Sequence, residues 1–245
     1  MGSFMSVKKF SQENALVLTL IFSVIAVIAS YISISKVWGA EGQSFTLFEF
    51  LGPIPALILG PFLGIISLLI AKVATAIYSQ TPLDFIVLLR FLPVLFGAYY
   101  FAVYKNNILQ SRILGILIPV FCIGLFCIHP VGSQAWVYSL YWLIPIGLTF
   151  VSKKNLFYQS ISTTFIQHAI GSVIWIYFVS PLSAQVWLSL MPLVAIERLV
   201  FAIGICLSYL GSIKVLSLAH AFSTHNFQMA SPHIFKPKKN DKSKD

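Results

Sequence analysis

The chain has few charged residues for its length, and this scarcity defines its class. Of its 245 residues, 9% are charged and 58% are hydrophobic, whereas a soluble domain has roughly 25% charged residues. A soluble fold of this size has too small a core to bury that much apolar surface. The composition excludes a soluble domain and predicts an all-α fold, a polytopic transmembrane helical bundle in the cell membrane.

Motifs for nucleotide hydrolysis, peptide hydrolysis and metal binding are also missing. The sequence contains no GxxxxGK[ST], HExxH or GxSxG and no dense group of His and carboxylate residues. Its three cysteines, Cys122, Cys127 and Cys206, lie in apolar segments without CxxC spacing, which indicates core packing. The sequence therefore predicts a protein that is not an enzyme and has no cofactor and no metal site. The net charge of +9 is scattered over short loops and a tail, which does not favour nucleic acid as a partner.

The hydropathy pattern predicts three regions. These are a cytoplasmic N-terminal segment at 1–14, a transmembrane domain at 15–215 and a basic, disordered cytoplasmic tail at 221–245. Apolar segments within the domain occupy 15–35, 45–79, 83–104, 113–128, 136–151, 158–179 and 187–211. Most are long enough to cross about 30 Å of hydrocarbon, but 45–79 is too long for a single span.

The stretch LGPIPALILGPFLG at 51–64 divides that long segment. Proline directly after glycine is a natural helix start, so we expect a short helix to end at Gly60 and a full one to begin at Pro61. This break gives about eight spans rather than seven, with both termini cytoplasmic. Eight spans also place most lysines and arginines inside and leave only Lys36 in an outer loop, as the positive-inside rule favours.

Charged residues within the apolar segments are the first candidates for a site. Six lie in or at the edge of a span: Glu49, Lys72, Asp84, Arg90, Glu197 and Arg198. Such residues are costly in lipid and are expected to face the bundle interior. In the eight-span topology they lie mainly in the outer half, which predicts a pocket open to the outside. They serve either to bind a ligand or to pair with one another, and the sequence leaves both interpretations open.

Individual positions differ in what they predict. Because Glu197 and Arg198 are adjacent, they are not expected to share a helix face, so at least one of them should find its partner on another helix or on a ligand. Arg90 carries a guanidinium suited to carboxylates and phosphates. Asp84 follows Thr81-Pro82 and is expected to cap a helix.

The remaining candidates lie in FIQHAIGSVIW. His168 is near the middle of its span, Gln167 adds an amide, and Trp175 lies on the same helix face as His168 and nearer the outer mouth. The ligand-binding residues predicted from the sequence are therefore His168, Trp175, Glu197, Arg90 and Gln167. A packing role for His168 and an interfacial role for Trp175 are the alternatives.

The stretch LGPIPALILGPFLGIISLLIAKV resembles the second and third helices of substrate-binding S components of energy-coupling factor (ECF) transporters. QHAIGSVIWIY and LMPLVAIERLVFAIGICLSYLG are similar to their last two helices. The resemblance implies a six-helix core, here with two extra spans within 83–151. It also implies docking to a transmembrane coupling subunit through small residues of the first span, approximated here by Ala26 and Ser30.

Two functions from different classes follow. The resemblance implies an integral membrane solute-binding subunit that takes up a small, vitamin-like molecule from the outer face, with energy from separate ATPase subunits. Its partners would be the solute, membrane lipid, the coupling subunit and the ATPases. The alternative is a non-transporting assembly or structural subunit of a larger complex, whose charges only hold helices together.

Overall fold

The computed structural model describes residues 13–36, 44–151, 155–179 and 182–230, and helices make up most of them. The helices are α1 Ala15–Ser30, α2 Phe48–Leu51, α3 Ile54–Leu59, α4 Pro61–Tyr78, α5 Phe85–Leu89, α6 Leu92–Asn106, α7 Ile108–Ile128, α8 Pro130–Gln134, a 3₁₀ helix Trp136–Trp142, α9 Leu143–Thr149, α10 Leu156–Phe178, α11 Ala184–Ser189 and α12 Met191–Ala230. Two short strands, β1 Ser33–Lys36 and β2 Ser44–Thr46, form an antiparallel hairpin between α1 and α2.

Five helical segments are long and apolar enough to cross a membrane: Pro61–Tyr78, Phe85–Tyr104, Ile108–Ile128, Leu156–Phe178 and Met191–Phe222. Two shorter apolar helices, Ala15–Ser30 and Phe48–Leu59, accompany them. The all-α class and a membrane-embedded bundle agree with this architecture. The number of spans and the side on which each end lies stay predictions.

The predicted break at Gly60-Pro61 is confirmed. Gly60 separates α3 from α4 with a φ of 92°, a left-handed conformation that glycine adopts without strain. The chain then folds back on itself. A Cβ on Gly64 would lie 2.1 Å from the Cα of Ala56, and the Lys72 Nζ lies 4.2 Å from the centroid of the Phe48 ring. In each pair the two residues lie equally far from Gly60 in sequence, on opposite sides of it. This spacing shows that α2 and α3 pack antiparallel against α4.

Several helices begin or end at residues other than the predicted limits, while the spans and the tail themselves stay predictions. The first predicted span, 15–35, ends as a helix at Ser30, and its last residues enter β1, where serine alternates with larger residues. The predicted span 136–151 begins as a 3₁₀ helix. The last helix starts at Met191, not 187, and continues to Ala230, so it passes the predicted span end at 211 and the predicted start of the tail at 221. Residues 1–12 and 231–245 lie outside the described chain.

Helix α10 is the centre of the bundle, and most of its buried side chains are polar. Gln159, Ser160, Ser162, Thr163 and Thr164 are each 0% exposed. The Gln159 amide donates a hydrogen bond to the carbonyl of Phe101 on α6, and the Thr164 hydroxyl donates to the carbonyl of Arg198 on α12 at 3.4 Å. Interhelical hydrogen bonds of this kind join transmembrane helices that lack a hydrophobic driving force for association.

Contacts between helices define two ends of the bundle. The thiol of Cys206 contacts Ser160 at 3.3 Å, while Thr164 contacts Arg198, so α10 and α12 are antiparallel. Contacts of this kind between neighbouring helices place the Gly60 break, the α6–α7 turn and the start of α10 at one end of the bundle. The other end, called the hairpin end below, carries β1, β2, α8 and α11.

The small-residue face of α1 is already occupied within the bundle. Ala26 is 3% exposed and belongs to a buried cluster with Ala56, Leu68 and Ala71. The Ser30 hydroxyl donates to the carbonyl of Ala26 at 2.9 Å. The docking face implied by the resemblance therefore packs inward, and the apolar residues that α1 exposes, such as Leu16 at 74%, lie elsewhere on the helix.

The topology can be tested at two exposed residues near opposite ends, Ser133 in α8 and Asn106 at the end of α6. In a background lacking Cys122, Cys127 and Cys206, we expect a membrane-impermeant thiol reagent to label a cysteine at Ser133 in intact cells. A cysteine at Asn106 should react only after permeabilisation. Labelling of Asn106→Cys in intact cells would show that the predicted orientation is wrong.

Candidate functional site

A cavity of about 290 Å³ lies at the hairpin end, between the first half of α12, the second half of α10 and the start of α6. β2, α2 and the 3₁₀ helix complete its wall. All five residues predicted as ligand-binding line it: Arg90, Gln167, His168, Trp175 and Glu197. The structure thus brings together in one space residues that are more than 100 positions apart in sequence. Whether they bind a ligand stays a prediction.

Aromatic rings form much of the cavity wall. Trp175 comes from α10, Trp187 from α11 in the α10–α12 connection, Tyr138 from the 3₁₀ helix and Phe45 from β2. The Tyr138 and Trp187 rings pack edge to face with centroids 4.9 Å apart. Large, mostly apolar surfaces with a few polar groups are typical of small-molecule sites.

His168 has both ring nitrogens engaged within the protein. The Trp142 indole N–H donates to Nδ1 at 3.1 Å, and Nε2 lies 2.8 Å from the Tyr138 hydroxyl. Because an indole nitrogen can only donate, Nδ1 must be the acceptor, and neutral His168 then carries its hydrogen on Nε2. Nε2–H donates to the Tyr138 oxygen, which leaves the Tyr138 hydrogen for another acceptor. His168 therefore orients Tyr138, which differs from the direct ligand contact predicted from the sequence.

The predicted separation of Glu197 and Arg198 is wrong. An Nη2 of Arg198 lies 3.7 Å from Oε2 of Glu197, and the two side chains are only 4% and 12% exposed. The expectation considered only the directions in which adjacent residues leave a helix. Both side chains are long enough to bend back towards each other. The Ser35 hydroxyl of β1 donates to Oε1 of Glu197 at 3.3 Å, which ties the hairpin to the pair.

Arg198 is also held by aromatic rings. Its guanidinium carbon lies 4.4 Å from the centroid of Phe201 and 5.1 Å from that of Phe45. These distances are within the range of cation–π attraction, which strengthens away from water. The carboxylate and the rings together account for a cation that is buried inside an apolar helical bundle.

Arg90 and Gln167 occupy the α6 side of the cavity. The Arg90 guanidinium lies 5.9 Å from the centroid of the Trp175 ring. Gln167 packs so tightly on Gly97 that a Cβ there would lie 2.4 Å from its side chain. Gly97 therefore allows α6 to approach α10 and places Gln167 at the cavity wall.

The other charged candidates have different positions. Asp84 caps α5 by accepting a hydrogen bond from the backbone of Val87 at 2.8 Å, which confirms its predicted role. Lys72 is not among the cavity residues and lies on the Phe48 ring. Glu49 lines the cavity from α2. Within the described ranges, no three His, Cys, Asp or Glu residues come together in a group that could hold a metal ion.

Sequence reasoning missed Tyr138, Phe45, Ser44 and Trp187 as cavity residues. Tyr138 lies in WVYSLYW, where the only available signal is a dense aromatic run at the outer end of a predicted span. Ser44 and Phe45 belong to the hairpin, which the apolar pattern did not reveal.

Comparison with known proteins is the remaining source of information on this site. The search finds no matching family model, no similar curated protein and no similar solved structure.

Proposed function

We propose that the chain is an integral membrane solute-binding subunit of a transporter, which takes a small molecule into the cavity at its hairpin end. The observation that carries this proposal is the convergence of charged, amide and aromatic side chains from α6, α10 and α12 on one cavity. Charged side chains are costly inside a membrane protein, and those that are kept there commonly mark a substrate pathway.

The position of the cavity supports a receptor more than a channel. Between the cavity and the opposite end, the space is filled by a buried apolar cluster that includes Phe22, Ile54, Phe101 and Ile205. Movement of a solute through the protein would require these helices to rearrange. Uptake against a concentration gradient through such a rearrangement needs an energy source, which we assign to separate ATPase subunits, as in the ECF transporters that the sequence resembles.

The coupling subunit would contact a surface other than the predicted one. Ala26 is buried against α4, so a partner cannot reach it without displacing that helix. The exposed apolar stripe of α1, which includes Leu16, Leu20 and Val24, is the corresponding surface available to a transmembrane partner or to lipid.

The proposal can be tested by filling the cavity at Gly171. This α10 glycine lines the cavity, and a Cβ there would meet only Pro93, at an ordinary distance of 3.7 Å. We expect Gly171→Leu to fold normally but to occupy the space meant for the solute. Mass spectrometry of small molecules released on denaturing the purified protein should detect a solute in the native chain and at least ten-fold less in the variant.

Gly124→Leu provides the matched control, because Gly124 is a helical glycine of α7 with no atom within 4 Å of its added Cβ and lies outside the cavity. It should retain the solute. Equal small-molecule content in the native chain and Gly171→Leu, with equal melting temperatures, would favour the assembly or structural subunit instead.

A further inference from the structure

The buried polar atoms of the cavity wall show a one-sided chemistry. The indole nitrogens of Trp175 and Trp187 and the Nε of Arg198 are buried without a hydrogen-bond partner among the described residues, while Nη2 of Arg198 has only the ion-pair contact with Glu197 at 3.7 Å. Indole and guanidinium groups donate hydrogen bonds and accept none. Leaving such donors unsatisfied costs about 1–3 kcal/mol each, so native structures rarely keep several in one place without reason.

The Tyr138 hydroxyl is not one of these open donors. Its oxygen accepts from His168, whose tautomer is fixed by the Trp142 N–H, and Ser172 is a further hydrogen-bond partner of the same hydroxyl. Both Glu197 oxygens are engaged, since one accepts from Ser35 and the other faces Arg198. The atoms of the wall that are buried without a hydrogen-bond partner are therefore donors.

The rings around the cavity add a shape requirement. Trp175, Trp187, Tyr138 and Phe45 present flat surfaces to the same space, and such surfaces favour stacking or edge-to-face contact with another ring. Guanidinium charge at Arg90 and Arg198 is matched by carboxylates at Glu49 and Glu197. The wall as a whole is thus close to neutral and does not demand a cation.

We propose that the cavity binds a flat-ring solute whose edge presents oxygen acceptors, either ring carbonyls or a ring-attached carboxylate, and that it discriminates against the matching amino compound. This inference rests on the proposed function and specifies its substrate class. An amino group in place of each acceptor would put a donor of the solute against the donors of Trp175, Trp187 and Arg198. Neither the solute donors nor the protein donors would then have a hydrogen-bond partner.

Two matched pairs of probes test this with the full-length protein in detergent. The first pair is xanthine and the diamino analogue of its purine ring, and the second is naphthoate and naphthylmethylamine. In at least one pair, calorimetric titration should show that the oxygen-bearing compound binds with a Kd about ten-fold or more below that of its amino counterpart. A difference of this size is expected when a buried donor loses its hydrogen bond. The first pair reports ring carbonyls and the second reports a carboxylate.

Variants that remove one donor at a time test whether the cavity wall causes the preference for oxygen acceptors. Trp175→Phe and Trp187→Phe keep an aromatic ring but lose the N–H, and each should weaken binding of the acceptor probe about ten-fold. Trp136→Phe is the matched control, because Trp136 is 53% exposed and lies outside the cavity. It should leave binding unchanged.

Preferential binding of the amino members, binding of none of the four probes, or unchanged affinity in both tryptophan variants would overturn the inference. Its failure is distinguishable from failure of the proposed function. If a solute is released by the native chain, is absent from Gly171→Leu and proves to carry amino donors in place of oxygen acceptors, the receptor function stands and the acceptor preference is wrong.

Discussion

Glu197→Gln is expected to lower the melting temperature sharply. Glu197 and Arg198 form a buried ion pair at 3.7 Å, and removing one partner of such a pair typically costs about 3–5 kcal/mol because the other charge is left uncompensated. The Ser35 hydroxyl donates to Glu197, and glutamine keeps a carbonyl oxygen that can accept this hydrogen bond, so the expected loss comes from the ion pair. Melting of the purified protein, followed by intrinsic fluorescence or light scattering, measures the effect.

The double variant Glu197→Gln with Arg198→Met separates loss of the pair from general damage. Methionine fills part of the space of arginine without a charge, so the double variant should recover stability lost in the single one. Solute content per folded molecule then reports on binding. Native content in Glu197→Gln, together with low stability, would assign Glu197 to helix packing alone and contradict its predicted ligand contact.

Gly64→Ala is expected to prevent close packing of the helical hairpin centred on Gly60. The added methyl group would lie 2.1 Å from the Cα and 2.3 Å from the backbone nitrogen of Ala56. A backbone cannot move aside as a flexible side chain can, so the cost should reach or exceed the usual overpacking range of about 1–3 kcal/mol. Low yield of monodisperse protein and a lowered melting temperature are the expected results.

Gly124→Ala controls for the change of residue type, since no atom lies within 4 Å of its added Cβ. The substitution should leave stability unchanged or raise it slightly, because alanine is favoured over glycine within a helix. If Gly64→Ala has the same melting temperature as Gly124→Ala, the close approach of α3 and α4 does not exist in the protein.

The sequence predicted features that depend on local chemistry or on the total cost of burial. The break at Gly60-Pro61 follows from two adjacent residues, and the cap at Asp84 follows from one. The grouping of Arg90, His168 and Glu197 was accessible because charged and polar groups within apolar helices must turn away from lipid.

Features that depend on long-range packing were not accessible. The engagement of His168 by Tyr138 and Trp142 joins residues 30 and 26 positions apart through a 3₁₀ helix that the apolar pattern reads as an ordinary span. The pairing of Glu197 with Arg198 depends on side-chain reach, which a rule about helix faces ignores. The inward packing of Ala26 depends on α4, and small residues alone do not indicate whether their partner lies inside or outside the bundle.

The fold-back at Gly60 has a consequence for how the protein is made. Ala56 and Gly64 are close in sequence and separated only by the Gly60 break, so the α3–α4 contact can form soon after both helices leave the ribosome. The cavity, in contrast, joins Glu49 from this early unit with Glu197 from a helix synthesised much later. Under the proposed function, a nascent chain that has already settled in the bilayer cannot bind a solute until α12 is made, and C-terminal truncations before that helix should yield inserted protein without solute.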